Sequence, residues 1–203
     1  EGEKILFIGP HPDDIDLGCA ICMNDHYLKN DKIKTIVLTN GEKGRESVFS
    51  DRVIEECNSF KILAPESQNI FLGFPDTMLF YHMNEIIFEI RKIVMDEIPD
   101  IVDIPSNHDF HQDHVVTYEC AMAVLNNIKI RKIICYETPS TMLTFTPNYF
   151  KVCDSDKFET KMNAIRCHVS QADKSYIAYE TIYSIAKMRA IQGRYYESVA
   201  EAF

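Results

Sequence analysis

Short β-rich apolar runs alternate with stretches of helical spacing along almost the whole chain, and this alternation limits the possible folds more than any other feature. Lys4–Gly9 ends at Gly-Pro and reads as a buried strand, and Ile33–Thr39, Asn69–Leu72, Ile101–Ile104 and Lys132–Tyr136 are further strand candidates. Between them a helix is predicted from Asp16 to about Lys29, with Leu17, Ala20, Ile21 and Leu28 facing inward. A second starts from an N-cap at Ser50 and carries Val53, Ile54, Cys57, Phe60 and Leu63. A third follows Asn84, with Ile86, Ile87, Ile90, Ile93 and Val94 at helical spacing and Pro99 as its stop. Val115–Asn126, Asp156–His168 and Ala178–Gln192 complete the set, the last closed by Gly193. Such alternation implies βαβ units and an α/β domain whose mostly parallel sheet is covered on both faces.

Composition narrows the classes that remain. The 203 residues suit one domain, 1–203, with no internal repeat and no long linker. Thirty-one acidic against twenty-one basic residues give a net charge of −10, which argues against nucleic acid or an anionic membrane as partner. No apolar run approaches the length of a transmembrane segment, and Glu1-Gly2-Glu3-Lys4 with the short apolar stretch behind it does not read as a signal peptide. The seven cysteines are odd in number and irregularly spaced, as expected of reduced, buried thiols in a cytoplasmic protein. Cys19-x-x-Cys22 lacks the second pair of a zinc site and falls inside a predicted helix, so core packing is its expected role.

In open α/β sheets ligands bind beyond the carboxyl ends of the strands. The loop after the first strand reads Gly9-Pro10-His11-Pro12-Asp13-Asp14, with no glycine-rich dinucleotide fingerprint. The loop after Ile101–Ile104 crowds His108, Asp109, His111, Asp113 and His114 into seven positions. Two such loops on one sheet edge point to a metal site, and a His, Asp, His set with open positions suits a catalytic ion. An ion held in this way acidifies water and polarises a carbonyl. Hydrolysis further needs a base and an oxyanion donor; adjacent Asp13 and Asp14 diverge, and His111 and His114 are spaced to divide such tasks.

Gly-Pro-His11-Pro-Asp13-Asp14-Ile-Asp-Leu-Gly-Cys, with His111-Gln-Asp113-His114 downstream, resembles the PIG-L / LmbE-like family of metal-dependent N-deacetylases of amino sugars and their conjugates. Leu38–Gly44, Arg52-x-x-Glu55, Phe71–Asp76, His168-Val-Ser170-Gln171 and Ala200–Phe203 are similar to family signatures in family order, so the likeness spans the chain. It implies a Rossmann-like three-layer fold. It further implies His11, Asp14 and His114 as metal ligands, Asp13 as general base and His111 as oxyanion donor. Asp113 would orient His111 and raise its pKa. Arg52 and Asp76 match positions that hold sugar polar groups, and Glu42 and His168 are further candidate pocket contacts. Zinc is the expected ion, with iron(II) or another divalent metal accepted by the same ligands. The resemblance also implies a small amino-sugar substrate and a homo-oligomer, a trimer or hexamer.

Two departures stand out: Ile15-Asp16 follows the paired aspartates where the family often has Glu, and Gln112 replaces the usual Pro between His111 and Asp113. The competing readings are a metal-dependent hydrolase of another amide, an ester or a phosphoester, a nucleotide-dependent oxidoreductase, which the missing glycine fingerprint disfavours, and a non-catalytic metal-binding module, which would need neither Asp13 nor His111.

Overall fold

The computed structural model describes residues 2–44 and 51–203. Five parallel strands form the central sheet: β1 (Lys4–Gly9), β2 (Lys32–Thr39), β3 (Gln68–Phe74), β4 (Ile101–Pro105) and β5 (Lys132–Tyr136), in the order β3-β2-β1-β4-β5. Six helices accompany them: α1 (Asp14–Leu28), α2 (Arg52–Leu63), α3 (Met83–Glu97), α4 (Gln112–Leu125), α5 (Ser155–Ile165) and α6 (Tyr179–Gln192). The expected three-layer α/β architecture is therefore present.

Both faces of each inner strand are buried, which is why these strands read as continuous apolar runs. Ile5, Phe7 and Val37 face a cluster with Ala20, Met23, Phe60 and Leu63 from α1 and α2. Leu6, Ile8, Ile36 and Leu38 face the opposite cluster, built with Ile86, Ile90 and Val94 of α3 and Val116, Cys120 and Val124 of α4. At Gly18 a Cβ would lie 2.3 Å from the Tyr136 ring, so α1 sits against the end of β5 only because that position has no side chain.

Several sequence expectations need correction. Helix α1 starts at Asp14, not Asp16, and α5 ends at Ile165, leaving His168 in the turn beyond it. Ser50 lies outside the described residues; Asp51 caps α2, its carboxylate accepting the N–H groups of Val53 and Ile54 at 3.0 and 3.2 Å. Leu28, expected inward, is 60% exposed, and Ile54 on α2 is 58% exposed. The buried face of α2 instead carries Arg52, Glu55, Glu56 and Ser59 beside Phe60 and Leu63. Periodicity of apolar residues misplaces such a helix by construction, because most of its buried stripe is polar.

The antiparallel pair β6 (Phe150–Cys153) and β7 (Val199–Ala202) has no counterpart in the sequence reading, since VAEA is poor in β-branched residues. Its Glu201 is inserted into α1. The carboxylate accepts the Ile21 and Cys22 N–H groups at 2.9 Å each, and the buried Lys161 ammonium donates to Glu201 at 2.8 Å and to the Leu17 carbonyl at 2.6 Å. This ion pair thus clasps α1 through the Leu17 carbonyl and the Ile21 and Cys22 N–H groups. Cys19 and Cys22 are buried free thiols in the core, as expected.

Asp103 is the anomaly of the core: it is buried on β4, and neither carboxylate oxygen has a hydrogen-bond partner among the described residues. Burial, reinforced by nearby Glu201, pushes its pKa to about 8. The folded chain therefore holds a proton that the unfolded chain, with an Asp pKa of about 3.9, releases. Across the window from about pH 4 to 8 this site lowers stability as pH rises, by on the order of 1 kcal/mol per unit. Asp103→Asn is expected to remove that slope, measured as a smaller loss of urea-unfolding free energy between pH 5 and pH 8 than in the wild type.

Candidate active site

Five loops leave the carboxyl ends of β1 to β5, and four of them supply the acidic, imidazole and hydroxyl groups of the site, with Lys43 after β2 and Arg52 at the start of α2 adding to its wall. His11, Asp13 and Asp14 follow β1, Asp76 and Thr77 follow β3, Asp109, His111, Asp113 and His114 follow β4, and Thr138 follows β5. His11, Asp14 and His114 come together. The Asp14 carboxylate lies 3.0 Å from His11 Nδ1 through one oxygen and 3.3 Å from His114 Nε2 through the other. The His111 ring stands beside them, with centroids 4.7 Å from His11 and 5.1 Å from His114. One donor atom from each of these three imidazoles falls within 4.8 Å of the others.

The remaining nitrogen of each bridged imidazole is engaged by a carboxylate. His11 Nε2 faces Asp76 at 3.1 Å and Asp113 at 3.3 Å, and His114 Nδ1 faces Asp109 at 3.1 Å. Asp109 is fixed in turn by the Thr138 hydroxyl at 2.9 Å and accepts the His111 N–H at 2.8 Å. With carboxylates accepting the protons of the outer nitrogens, His11 Nδ1 and His114 Nε2 keep their lone pairs beside Asp14 as ligand atoms, the arrangement of imidazoles that hold a divalent ion. Charge gives the same answer. Burial alone would depress the His114 pKa, but Asp14 and Asp109 lift it to about 9, and hydrogen bonds to Asp113, Asp14 and Asp76 likewise raise His11 well above its ordinary value against burial. A pocket this rich in carboxylate calls for a cation, so the donor set fits the metal that the sequence leads one to expect.

Asp13 points the other way. Its carboxylate pairs with Arg52 at 3.0 Å and lies 3.5 Å from the Tyr176 hydroxyl. Burial, with the adjacent Asp14, raises its pKa to about 6, and Arg52 is the main force holding it down. Arg52 also donates to the Gly41 carbonyl at 3.2 Å; Gly41 has φ 67°, and a Cβ there would lie 2.6 Å from the guanidinium.

His111 departs from expectation. Asp113 gives it no carboxylate contact; its backbone N–H donates to His111 Nδ1 at 3.2 Å, while its side chain serves His11 and accepts the Thr77 N–H at 2.8 Å. Burial and the imidazoles of His11 and His114 lower the His111 pKa overall, outweighing the upward push that Asp113 does exert, as expected. An acceptor at Nδ1 requires the proton on Nε2, so neutral His111 is a hydrogen-bond donor through that nitrogen.

A cavity of about 290 Å³ opens over these groups, walled by Leu17, Lys43, Arg52, Asp76, Thr138–Ser140 and Tyr176 among others. Arg52 and Asp76 thus reach the pocket, although both Asp76 oxygens are engaged, one by His11 and one by the Lys43 N–H at 3.0 Å. Glu42 and His168, expected at the pocket, stand off it. Glu42 accepts the Asp76 N–H at 2.8 Å, and His168 is buried between Asp16 at 2.6 Å and Glu56 at 3.3 Å. The sequence reading assigned no role to Asp109, Glu56 or Tyr176. Asp109 was within reach of it, since it shares the histidine-rich loop; Tyr176 follows no motif.

The family described as PIG-L, GlcNAc-PI de-N-acetylase, matches residues 6–125. An uncharacterized deacetylase, YaiS, of Escherichia coli is 36% identical over 171 residues, covering 82% of this chain and 90% of the relative. The diacetylchitobiose deacetylase of Thermococcus kodakarensis is 30% identical over 190 residues, 83% of this chain and 70% of the relative. Among solved structures, the N,N′-diacetylchitobiose deacetylase from Pyrococcus horikoshii superposes with a TM-score of 0.80 at 24% identity, covering 100% of this chain and 83% of that one. The match over more than half of the chain and the two relatives assign it: the chain is a deacetylase of the PIG-L family.

Proposed function

We propose that the chain hydrolyses the acetamide of an N-acetylated amino sugar or glycoconjugate, releasing acetate and the free amine, with Zn2+ held by His11, Asp14 and His114. The observation that carries this reading is the Asp14 carboxylate spanning His11 and His114 while Asp13, its neighbour in sequence, faces Arg52 at the pocket wall. A bound divalent ion would supply Lewis-acid polarisation of the acetamide oxygen and an acidified water. Iron(II) suits the same donors. His11 and His114 are oriented for this by the carboxylates on their far nitrogens.

Asp13 takes the proton from the attacking water. A carboxyl with a pKa near 6 is ionised at neutral pH yet basic enough to accept it. His111 donates Nε2–H to the oxygen on which negative charge develops. Collapse of the tetrahedral species breaks the C–N bond, and the proton that Asp13 took from the water passes to the departing nitrogen. The cavity of about 290 Å³ is at the small end for ligand pockets, roughly 300–1,000 Å³, and suits a single sugar ring with the remainder of the substrate outside. Asp76 and Arg52 supply the polar wall for that ring. Seven free thiols suit a cytoplasmic setting, and a homo-oligomer completes the reading.

Asp13→Ala is expected to lose turnover of N-acetylglucosamine, read as free amine, by about 100-fold or more while elemental analysis still finds one ion per chain; normal turnover would refute the base assignment. His114→Ala is expected to lose the ion, and stoichiometric retention would refute the ligand set. Asp109→Asn should weaken metal affinity by about 10–100-fold without removing a ligand, measured by competition with a chelator. Arg52→Gln should raise the Asp13 pKa from about 6 by about one unit or more, followed by carboxyl NMR titration of the metal-free protein.

A further inference from the structure

We propose that Glu56 is a positioning residue for Asp13: it holds the Asp13 backbone in a left-handed conformation, and the buried pair Asp16–His168 holds Glu56. The inference rests on the role of Asp13 given above and adds the means by which that carboxylate is kept in place.

Asp13 has φ 105° and ψ −23°, a region that residues with a Cβ rarely occupy. Such conformations persist only where surrounding contacts over-determine them. Here the conformation separates two adjacent carboxylates, sending Asp14 to the imidazoles and Asp13 to Arg52. The Asp13 N–H precedes the helical ladder of α1 and would be an unpaired buried donor, but it donates to Glu56 Oε2 at 2.9 Å. Glu56 is fully buried and does not line the cavity, so it acts on chemistry only through Asp13.

The same Glu56 oxygen lies 3.3 Å from His168 Nε2, which lies 2.6 Å from Asp16 Oδ2, and the Ser59 hydroxyl donates to Asp16 as well. Three elements meet in this cluster: α1 through Asp16, α2 through Glu56 and Ser59, and the turn after α5 through His168. Donor atoms of Asp16, Glu56 and His168 lie within 4.8 Å of one another, close enough to raise a second metal as the competing explanation. A 2.6 Å contact between His168 and Asp16 is instead the length of a hydrogen bond, with no space for an ion between the two atoms.

The test compares Glu56→Ala, Glu56→Gln, Asp13→Ala and the double variant Asp13→Ala/Glu56→Ala in the full chain. In the metal-free protein, the Asp13 amide of Glu56→Ala should exchange with solvent at least about 10-fold faster, while Glu56→Gln, which keeps an acceptor oxygen, stays within about threefold of wild type. With N-acetylglucosamine, Glu56→Ala should lower kcat by about 10–100-fold at nearly constant KM, and Glu56→Gln should restore most of it. In the Asp13→Ala background the Glu56→Ala change should cost less than about twofold. Unchanged exchange at Asp13 in Glu56→Ala, equal behaviour of the Ala and Gln variants, full additivity in the double variant, or a second ion per chain that Glu56→Ala removes would each overturn the proposal. Should Glu56→Ala fail to fold, Glu56→Asp replaces it, its shortened side chain expected to speed Asp13 exchange where the Gln variant does not. Active Asp13→Ala with fast exchange in Glu56→Ala would refute the base assignment while leaving the positioning role standing.

Discussion

One carboxylate ties the site together. Asp14 follows β1 at the start of α1, His114 lies in the first turn of α4 beyond β4, and Asp14 spans the gap between His114 and His11. Asp14 and His114 are 100 positions apart in sequence, yet β1 and β4 are adjacent in the sheet, with Phe7 opposite Asp103. The crossing of chain order that places β4 beside β1 is therefore what brings these loops to one point, at the switch in strand order where open α/β sheets bind ligands. Everything else in the pocket is arranged around that contact. Asp76, Asp109 and Asp113 turn the imidazoles toward it, and Thr138 reaches over from β5 to hold Asp109.

The cost of this arrangement is buried charge, and the chain meets it by pairing rather than by exposure. Asp14 faces two imidazoles, Asp13 faces Arg52, and Asp16 faces His168. Isolated, each carboxylate would be expelled or neutralised. Linked, they form a continuous polar seam running from the sheet edge down between α1 and α2, and that seam is why α2 presents Arg52, Glu55, Glu56 and Ser59 inward. Glu55 closes its far end on the Ser170 N–H and hydroxyl at 3.0 and 2.7 Å, fastening the turn that also carries His168 and Gln171.

What the sequence discloses and what it conceals follow from the same physics. The inner strands of the parallel sheet were legible because strands buried on both faces must be apolar throughout, as KILFIG and IKTIVLT are. The crowding of His11, Asp13, Asp14, Asp109, His111, Asp113 and His114 into two loops was legible because those loops leave strands that the alternation already marks. The inward face of α2 was not, because apolar periodicity has no way to announce that a buried stripe consists of Arg, Glu and Ser. Nor was the fate of Asp113: spacing places it beside His111, but only the fold shows its carboxylate turned to His11 and the Thr77 N–H. β7 stayed hidden because its VAEA segment is held by what Glu201 does inside α1 rather than by strand propensity.

That insertion bears on the site as well. Helix α1 begins with the paired aspartates, and its first turns must hold Asp14 against the imidazoles while Asp16 reaches His168. Around Leu17 the Lys161–Glu201 ion pair engages the helix backbone, Lys161 donating to the Leu17 carbonyl and Glu201 accepting the Ile21 and Cys22 N–H groups. A charged pair satisfies those groups strongly, and with Lys161 on α5 and Glu201 on β7 it fixes the helix where it meets both. The first turn is then held from both sides, by Glu56 on the Asp13 N–H and by the Lys161–Glu201 pair a turn below. The distant C-terminal strand thereby becomes part of the frame that keeps two neighbouring carboxylates pointing in different directions.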